Sequence, residues 1–226
     1  TASRTGTSIT VSNLFYNTPA RLKHLSSIYS ELAAITDYVN KMALSYPNIK
    51  FVLVNNEKEL LNTNRSGDLL KTIFDIYGVV VANKMMYIEN MNNDYKISGY
   101  ISYPELTKSN RGSITLLVNN RVVKNYEIVK AILEAYHTFI PKDRFPYIVL
   151  NIEVDPFLVD VNVHPTKMEV KFSKEDSLTS LIMETIDNKL NKKTLIPKAV
   201  YENVEDKYYE DDLKVNEDLF GTNSID

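Results

Sequence analysis

The sequence predicts an α+β fold in which a β-sheet is backed by helices. Two observations carry that prediction. Short runs with apolar residues at every second position, the pattern of a half-buried strand, are interleaved with longer runs whose apolar residues step by three and four, the pattern of one helical face. With 226 residues, 44% of them hydrophobic, the chain can also build the core that one large domain or two small ones would need.

Taken in order, Ile9 and Val11 alternate with Ser8, Thr10 and Ser12, which predicts a strand leading into Leu14, Phe15 and Tyr16. Thr18 followed by Pro19 reads as a helix start, a capping hydroxyl with proline at the first helical position. Ile28, Leu32, Ile35, Val39, Met42 and Tyr46 then fall on one face of a core-facing helix ended by Pro47. Residues 49–54 read as a strand and 58–62 as its hairpin partner. A helix follows over 68–77, with Ser66 as candidate cap and Gly78 as its stop.

The period then changes. Residues 85–89 and 95–102 predict strands joined by the polar turn Asn92, Asn93, Asp94. Strands at 114–118 and 121–123 flank Asn119 and Asn120, because asparagine tolerates the left-handed backbone of a tight hairpin. A helix over 126–140 places Val129, Ile132, Leu133, Tyr136 and Phe139 on its buried side, and 147–154 is a further strand. The last helix, 174–193, carries the stripe Leu178, Leu181, Ile182, Ile186 and Leu190. Beyond Pro197 the periodicity fails, and residues 198–226 read as an acidic linker without a core of its own.

Between the last strand and the last helix lies V-D-V-N-V-H-P-T-K-M-E-V-K-F, residues 159–172. Val159, Val161 and Val163 alternate with Asp160 and Asn162; Val170 and Phe172 alternate with Glu169 and Lys171. Pro165 stiffens the turn between the two runs and sets Lys167 in it, a fixed cation suited to an anion. Most lysines in turns are ordinary solvated charges, so this run alone does not decide the matter.

Composition excludes several classes. With no cysteine there is no disulfide, thiolate metal site or cysteine nucleophile, and His24, His137 and His164 are too far apart for a local zinc motif. No apolar run approaches the roughly 20 residues of a membrane span. The six glycines, at 6, 67, 78, 99, 112 and 221, include no G-x-G spacing, so no phosphate-cradling loop is assigned. The formal charge of -3 divides unevenly: three lysines against nine acids over 198–226, a net of -6, leave 23 basic and 20 acidic groups before it, a net of +3. A balance that mild puts any nucleic-acid contact on local clusters of cations. Those clusters are Lys108 and Arg111, Arg121 and Lys124, and Lys142 with Arg144. Tyr126, Tyr136 and Tyr147 sit at periodic positions and read as core rather than as a stacking platform.

Three blocks in order, N-L-F-Y-N-T-P-A-R at 13–21, V-N-N-R-V-V at 118–123 and V-D-V-N-V-H-P-T-K at 159–167, resemble the MutL family of DNA mismatch repair ATPases, members of the GHKL superfamily. The resemblance implies the fold of ribosomal protein S5 domain 2, preceded by the end of a GHKL nucleotide lobe. Residues 1–25 would be the end of that lobe and its connector, 26–197 the transducer and DNA-binding domain, and 198–226 the linker. It implies a parent, begun before Thr1, that binds ATP and Mg2+, with Lys167 contacting the γ-phosphate as sensor and electrostatic stabiliser and Thr7 placing its hydroxyl near the phosphates. Thr7 reads equally well as the start of a strand.

The catalytic Glu and the glycine motifs are not in this chain, so by itself it is expected to be inactive as an ATPase and to carry no bound cofactor. Arg21 holds the interface to the nucleotide lobe or faces DNA, while Asn162 and His164 brace the lysine turn and Glu169 pairs with Lys171 or another cation. Implied partners are sequence-nonspecific DNA, a MutS-like mismatch recognition protein, a downstream nuclease or helicase and a second copy of the parent, in a bacterial-type cytoplasm near the nucleoid and with no membrane. Where relatives carry further basic residues after the N-N-R block, this chain has Asn125 and Tyr126. Two other readings remain: the transducer of another GHKL ATPase, a type II topoisomerase or an Hsp90-like chaperone, and a nucleic-acid-binding module with no nucleotide link.

Overall fold

The structure, a computed structural model, describes residues 5–160 and 169–194. It opens with a short helix, α1 (Pro19–Lys23), started by proline, and a long one, α2 (Ile28–Ser45), whose cap Ser27 accepts from the Ser30 N–H. Strands β1 (Val52–Asn55) and β2 (Lys58–Asn62) form a hairpin over Asn56 and Glu57, both at positive φ. Helix α3 (Leu69–Tyr77) ends at Gly78, with φ of 84°, and the single turn α4 (Val79–Ala82) follows.

Five strands then make the central sheet. In chain order they are β3 (Met85–Met91), β4 (Tyr95–Ser102), β6 (Ile114–Val118), β7 (Arg121–Val123) and β9 (Ile148–Val154). Their spatial order is β3-β4-β9-β6-β7, antiparallel throughout except for the parallel pair β6 and β9. A separate ribbon pairs β5 (Thr107–Lys108) with β8 (Phe145–Pro146). Helix α5 (Tyr126–Tyr136) follows β7. After β9, the short strands β10 (Val159–Asp160) and β11 (Lys171–Phe172) pair antiparallel, and α6 (Glu175–Thr194) closes the described chain.

Alternation along the strands sorts side chains to two covered faces. Leu116, Val118, Ile148, Leu150 and Ile152 pack under α5 and α6 with Ile128, Ile132, Leu178, Ile182 and Ile186. Leu117, Tyr147 and Val149 point the other way, onto Leu44 of α2, Ile73 of α3 and Val81 and Ala82 of α4. Covering on both sides is why 147–150 reads as a continuous apolar run. At the centre of β4 a Cβ on Gly99 would overlap the Val149 carbonyl oxygen, so glycine lets β4 and β9 approach. The buried Tyr136 hydroxyl donates to the Ser102 carbonyl at 2.6 Å and pins the end of α5 to the end of β4; burial raises its pKa.

Several expected details came out differently. Residues 5–12 form no strand: Ile9 is 82% exposed, and an extended run with no ladder partner beside it gains nothing from its alternation. Thr18 precedes α1 without a side-chain capping bond. No residue of the α2 stripe is fully buried: Ile28, Ile35 and Tyr46 are exposed and Leu32, Val39 and Met42 half-buried, while the helix buries Ala43, Leu44 and Ser45 at its end, the only part of it that the sheet reaches. Asp68, whose carboxylate accepts from the Leu70 N–H, caps α3; Ser66 instead braces the Asp68 N–H. Helix α5 stops at Tyr136 and buries Ile128, Ala131, Ile132 and Ala135, so Val129, Leu133 and Phe139 are only half-buried. Tyr136 and Tyr147 are core as expected, whereas Tyr126 is 67% exposed.

Candidate functional site

The β5–β8 ribbon gathers cations that are far apart in sequence. Lys108 stands opposite Phe145, and Arg111 lies over the Phe145 ring at 5.6 Å. Arg144 donates from Nε to the Thr107 hydroxyl at 3.1 Å and from Nη2 to the Thr107 carbonyl at 3.4 Å. Lys142 is exposed in the turn just before it. The Lys108 ammonium sits 5.3 Å from the centre of Tyr147 and 6.0 Å from that of Tyr77, two rings packed edge to face at 5.4 Å. Burial pushes the Tyr77 hydroxyl up to about 12, so that ring keeps its proton beside the lysine.

Lys124 extends the same surface. It follows β7 on the side of α5, and with Arg111 it lines a cleft of about 680 Å³ floored by Ile114, Leu116, Val123, Val129 and Val170. Arg121 is not part of this group: it lies at the Asn119–Asn120 turn, the opposite end of the β6–β7 hairpin, about 10 Å away along the strand. That turn is held by Asn119, which exchanges two hydrogen bonds with the Val154 backbone, at 2.9 and 3.0 Å. All six cations are exposed, and among the described residues none of them forms a salt bridge.

Both arms of the lysine turn are in place. Val159 pairs with Phe172 and Asp160 with Lys171, as the alternation on either side of the turn anticipates. Lys167, with Asn162 and His164, lies outside the described residues. Glu169, expected as a charge partner, enters through its backbone, in a parallel bridge with Lys124. Asn125 fastens the same region: its amide donates to the Val170 carbonyl at 3.2 Å and to the Glu175 carboxylate at 2.7 Å, and its oxygen caps α5 by accepting from Ile128 N–H at 2.8 Å. Asn125, read from sequence only as a missing cation, thus joins α5, the returning arm and α6. An asparagine three residues before a buried isoleucine at a helix start was the available signal.

Thr7, Arg21 and Lys23 are exposed. Among the described residues no group of His, Asp and Glu is placed to hold a metal ion, and no helix is long and apolar enough to cross a membrane.

The family described as "DNA mismatch repair protein, C-terminal domain" matches residues 73–191. The DNA mismatch repair protein MutL of Pediococcus pentosaceus is 52% identical over 198 residues, 88% of this chain and 31% of the relative. MutL of Anoxybacillus flavithermus is 49% identical over 205 residues, 91% of this chain and 34% of the relative. The chain thus spans about a third of the length of these relatives. In structure it resembles the N-terminal domain of a DNA repair protein, with a TM-score of 0.68 and 24% identity over 80% of this chain and 60% of that one. It also resembles the Aquifex aeolicus MutL ATPase domain complexed with ADP, with a TM-score of 0.52 and 20% identity over 77% of this chain and 55% of that one. At those identities the two structures speak for the fold alone.

Proposed function

Because the chain belongs to the MutL family of DNA mismatch repair proteins, we propose that it supplies a DNA-phosphate contact to a parent ATPase and links that contact to the state of the nucleotide. The observation that carries the proposal is that Arg111 shares a cleft beside α5 with Lys124 and lies over Phe145, the neighbour of Arg144; these three and Lys142 are exposed and form no salt bridge among the described residues, although Glu127, Glu169 and Glu175 line the same cleft. Guanidinium and ammonium groups on a surface bind phosphate oxygens without reading bases, and each phosphate they neutralise releases counterions, so affinity falls steeply with salt. Lys108, held by its tyrosines, anchors the ribbon and adds charge at a fixed place. Arg121 would touch a different stretch of duplex.

Lys167 is the proposed link to nucleotide. In the parent, ATP with Mg2+ would supply the phosphoanhydride, and an ammonium against its terminal phosphate stabilises charge there and differs in its contacts between ATP and ADP. Such a contact, in an arm fastened beside Lys124, ties the nucleotide state to the surface that meets DNA. Closure of two parent copies on DNA, recruitment by a MutS-like protein and activation of a nuclease or helicase are the proposed consequences.

Two measurements test this. Equilibrium binding of the chain to duplex DNA is expected to weaken by at least about tenfold between 50 and 200 mM salt. Binding that ignores salt, or its absence at low salt, would remove the phosphate surface. In the parent, Lys167→Ala is expected to lower ATP turnover with the fold intact, and unchanged turnover would remove the nucleotide link.

A further inference from the structure

The exposed cations have a second anion within reach, on the same chain. Residues 198–226 carry nine acids against three lysines, while the residues before them are net basic. Where that segment leaves the fold is set by α6. The helix starts near the β3–β4 turn, where the Asn92 amide donates to the Ser177 hydroxyl at 3.1 Å, and passes Asn90, whose amide donates to Thr185 at 2.9 Å. It therefore runs toward Met85, which pairs with Ser102 at the far end of the sheet. The β5–β8 ribbon is at that same end: the Ser102 hydroxyl donates to the Leu106 carbonyl at 3.0 Å and accepts from the Tyr147 N–H at 3.1 Å. Helix α6 thus delivers the chain, at Thr194, to the end of the sheet that displays Lys142 and Arg144.

We infer that the acidic segment 198–226 is an intramolecular occupant of the cation surface around Lys124, Arg111, Arg144 and Lys142, and that it competes there with DNA. The inference rests on the phosphate-binding reading for its competitor, while the contact itself does not. Reach is ample, since some thirty residues can span up to about 100 Å of extended chain. Charge complements: Glu205, Asp206, Glu210, Asp211 and Asp212 fall within eight positions, interrupted by Lys207 alone among the basic residues. A tethered anion of this kind acts at a high effective concentration, so even weak contacts raise the DNA concentration needed to displace it. Its grip is electrostatic and is screened over about 10 Å at 0.1 M salt.

The test uses the full chain and a variant in which Glu205→Gln, Asp206→Asn, Glu210→Gln, Asp211→Asn and Asp212→Asn change the segment's net charge from -6 to -1. Zero-length carbodiimide cross-linking at low salt, mapped by mass spectrometry, is expected to join carboxylates of 205–212 to Lys124 or Lys142, and to lose those links at 0.5 M salt. In DNA binding the variant is expected to be roughly tenfold tighter than the parent sequence at 50 mM salt, with the gap closing as salt rises. Cross-links that are absent, or spread evenly over surface lysines such as Lys50 and Lys71, would overturn the contact. Equal DNA affinity of the two chains at low salt would overturn the competition. Failure of both chains to bind DNA would sink the phosphate reading instead, and the cross-links would still decide whether the segment occupies the surface.

Discussion

Helices α2 and α6 carry equally regular apolar stripes, and only one of them is buried. In α6, Leu178, Ile182 and Ile186 are fully enclosed under the sheet, whereas in α2 Ile28 is 84% and Ile35 51% exposed. The contrast extends to strands: Ile97, Ile101 and Ile148 are inaccessible, and Ile9 and Val11 stand in the open at 82% and 75%. Periodicity reports that a face is made to be covered. What covers it is a property of the neighbours in space, and for residues 5–40 the described chain provides few.

The largest loss of stability is expected on the buried side, in the middle of the sheet. Gly99→Ala drives a Cβ into the Val149 carbonyl in the middle of the sheet, where neither strand can yield without breaking its ladder. A loss of about 3 kcal/mol or more in chemical denaturation is expected. Next come paired truncations on the two helices: Ile182→Ala is expected to cost about 3 kcal/mol and Ile28→Ala less than about 0.5 kcal/mol. Equal costs would mean that α2 is covered as well as α6. Asn125→Ala removes a helix cap and two tethers, and a loss of about 1–2 kcal/mol in the same assay is expected.

The smallest effect concerns the tyrosines. Tyr77 is raised from 10.0 to about 12 by burial, and Tyr136 is raised too, so above pH 10 the unfolded chain sheds protons that the folded one keeps. This contribution to stability is complete below pH 10 and is lost as pH climbs through 12. Tyr77→Phe is expected to flatten the alkaline descent of the stability curve between pH 10 and 12; an unaltered descent would assign it to other groups.

What could be read from the sequence followed the same division. The stripe Leu178, Leu181, Ile182, Ile186, Leu190 and the Asn119–Asn120 turn were legible because each depends on a local repeat or a local backbone preference. Asp68 displaced Ser66 as a cap because two capping side chains lay within one turn, and the geometry of the chain entering α3 chose between them. The α+β architecture was legible, whereas the separate β5–β8 ribbon was not, since two-residue strands leave no period to see. Within the candidate site the cations were legible as residue types. Their grouping was not: Lys108 between Tyr77 and Tyr147, or Arg111 over Phe145, depends on segments brought together only by the fold. Arg121 looked like a companion of Lys124 in sequence and stands apart from it because a strand separates residues three apart along its length.

The central claim is that the surface along α5 and the β5–β8 ribbon holds DNA by its phosphates. The most direct measurement is the slope of log affinity against log salt for duplex DNA, taken on the full chain, on the triple variant Arg111→Gln, Lys124→Gln, Arg144→Gln, and on the control Lys50→Gln, Lys58→Gln, Lys71→Gln. With thermal melts matching, the first variant is expected to flatten the slope by about 2 to 3, one lost phosphate contact per cation, while the control leaves it unchanged. An undiminished slope in the first variant, or an equal flattening in the control, would contradict the claim.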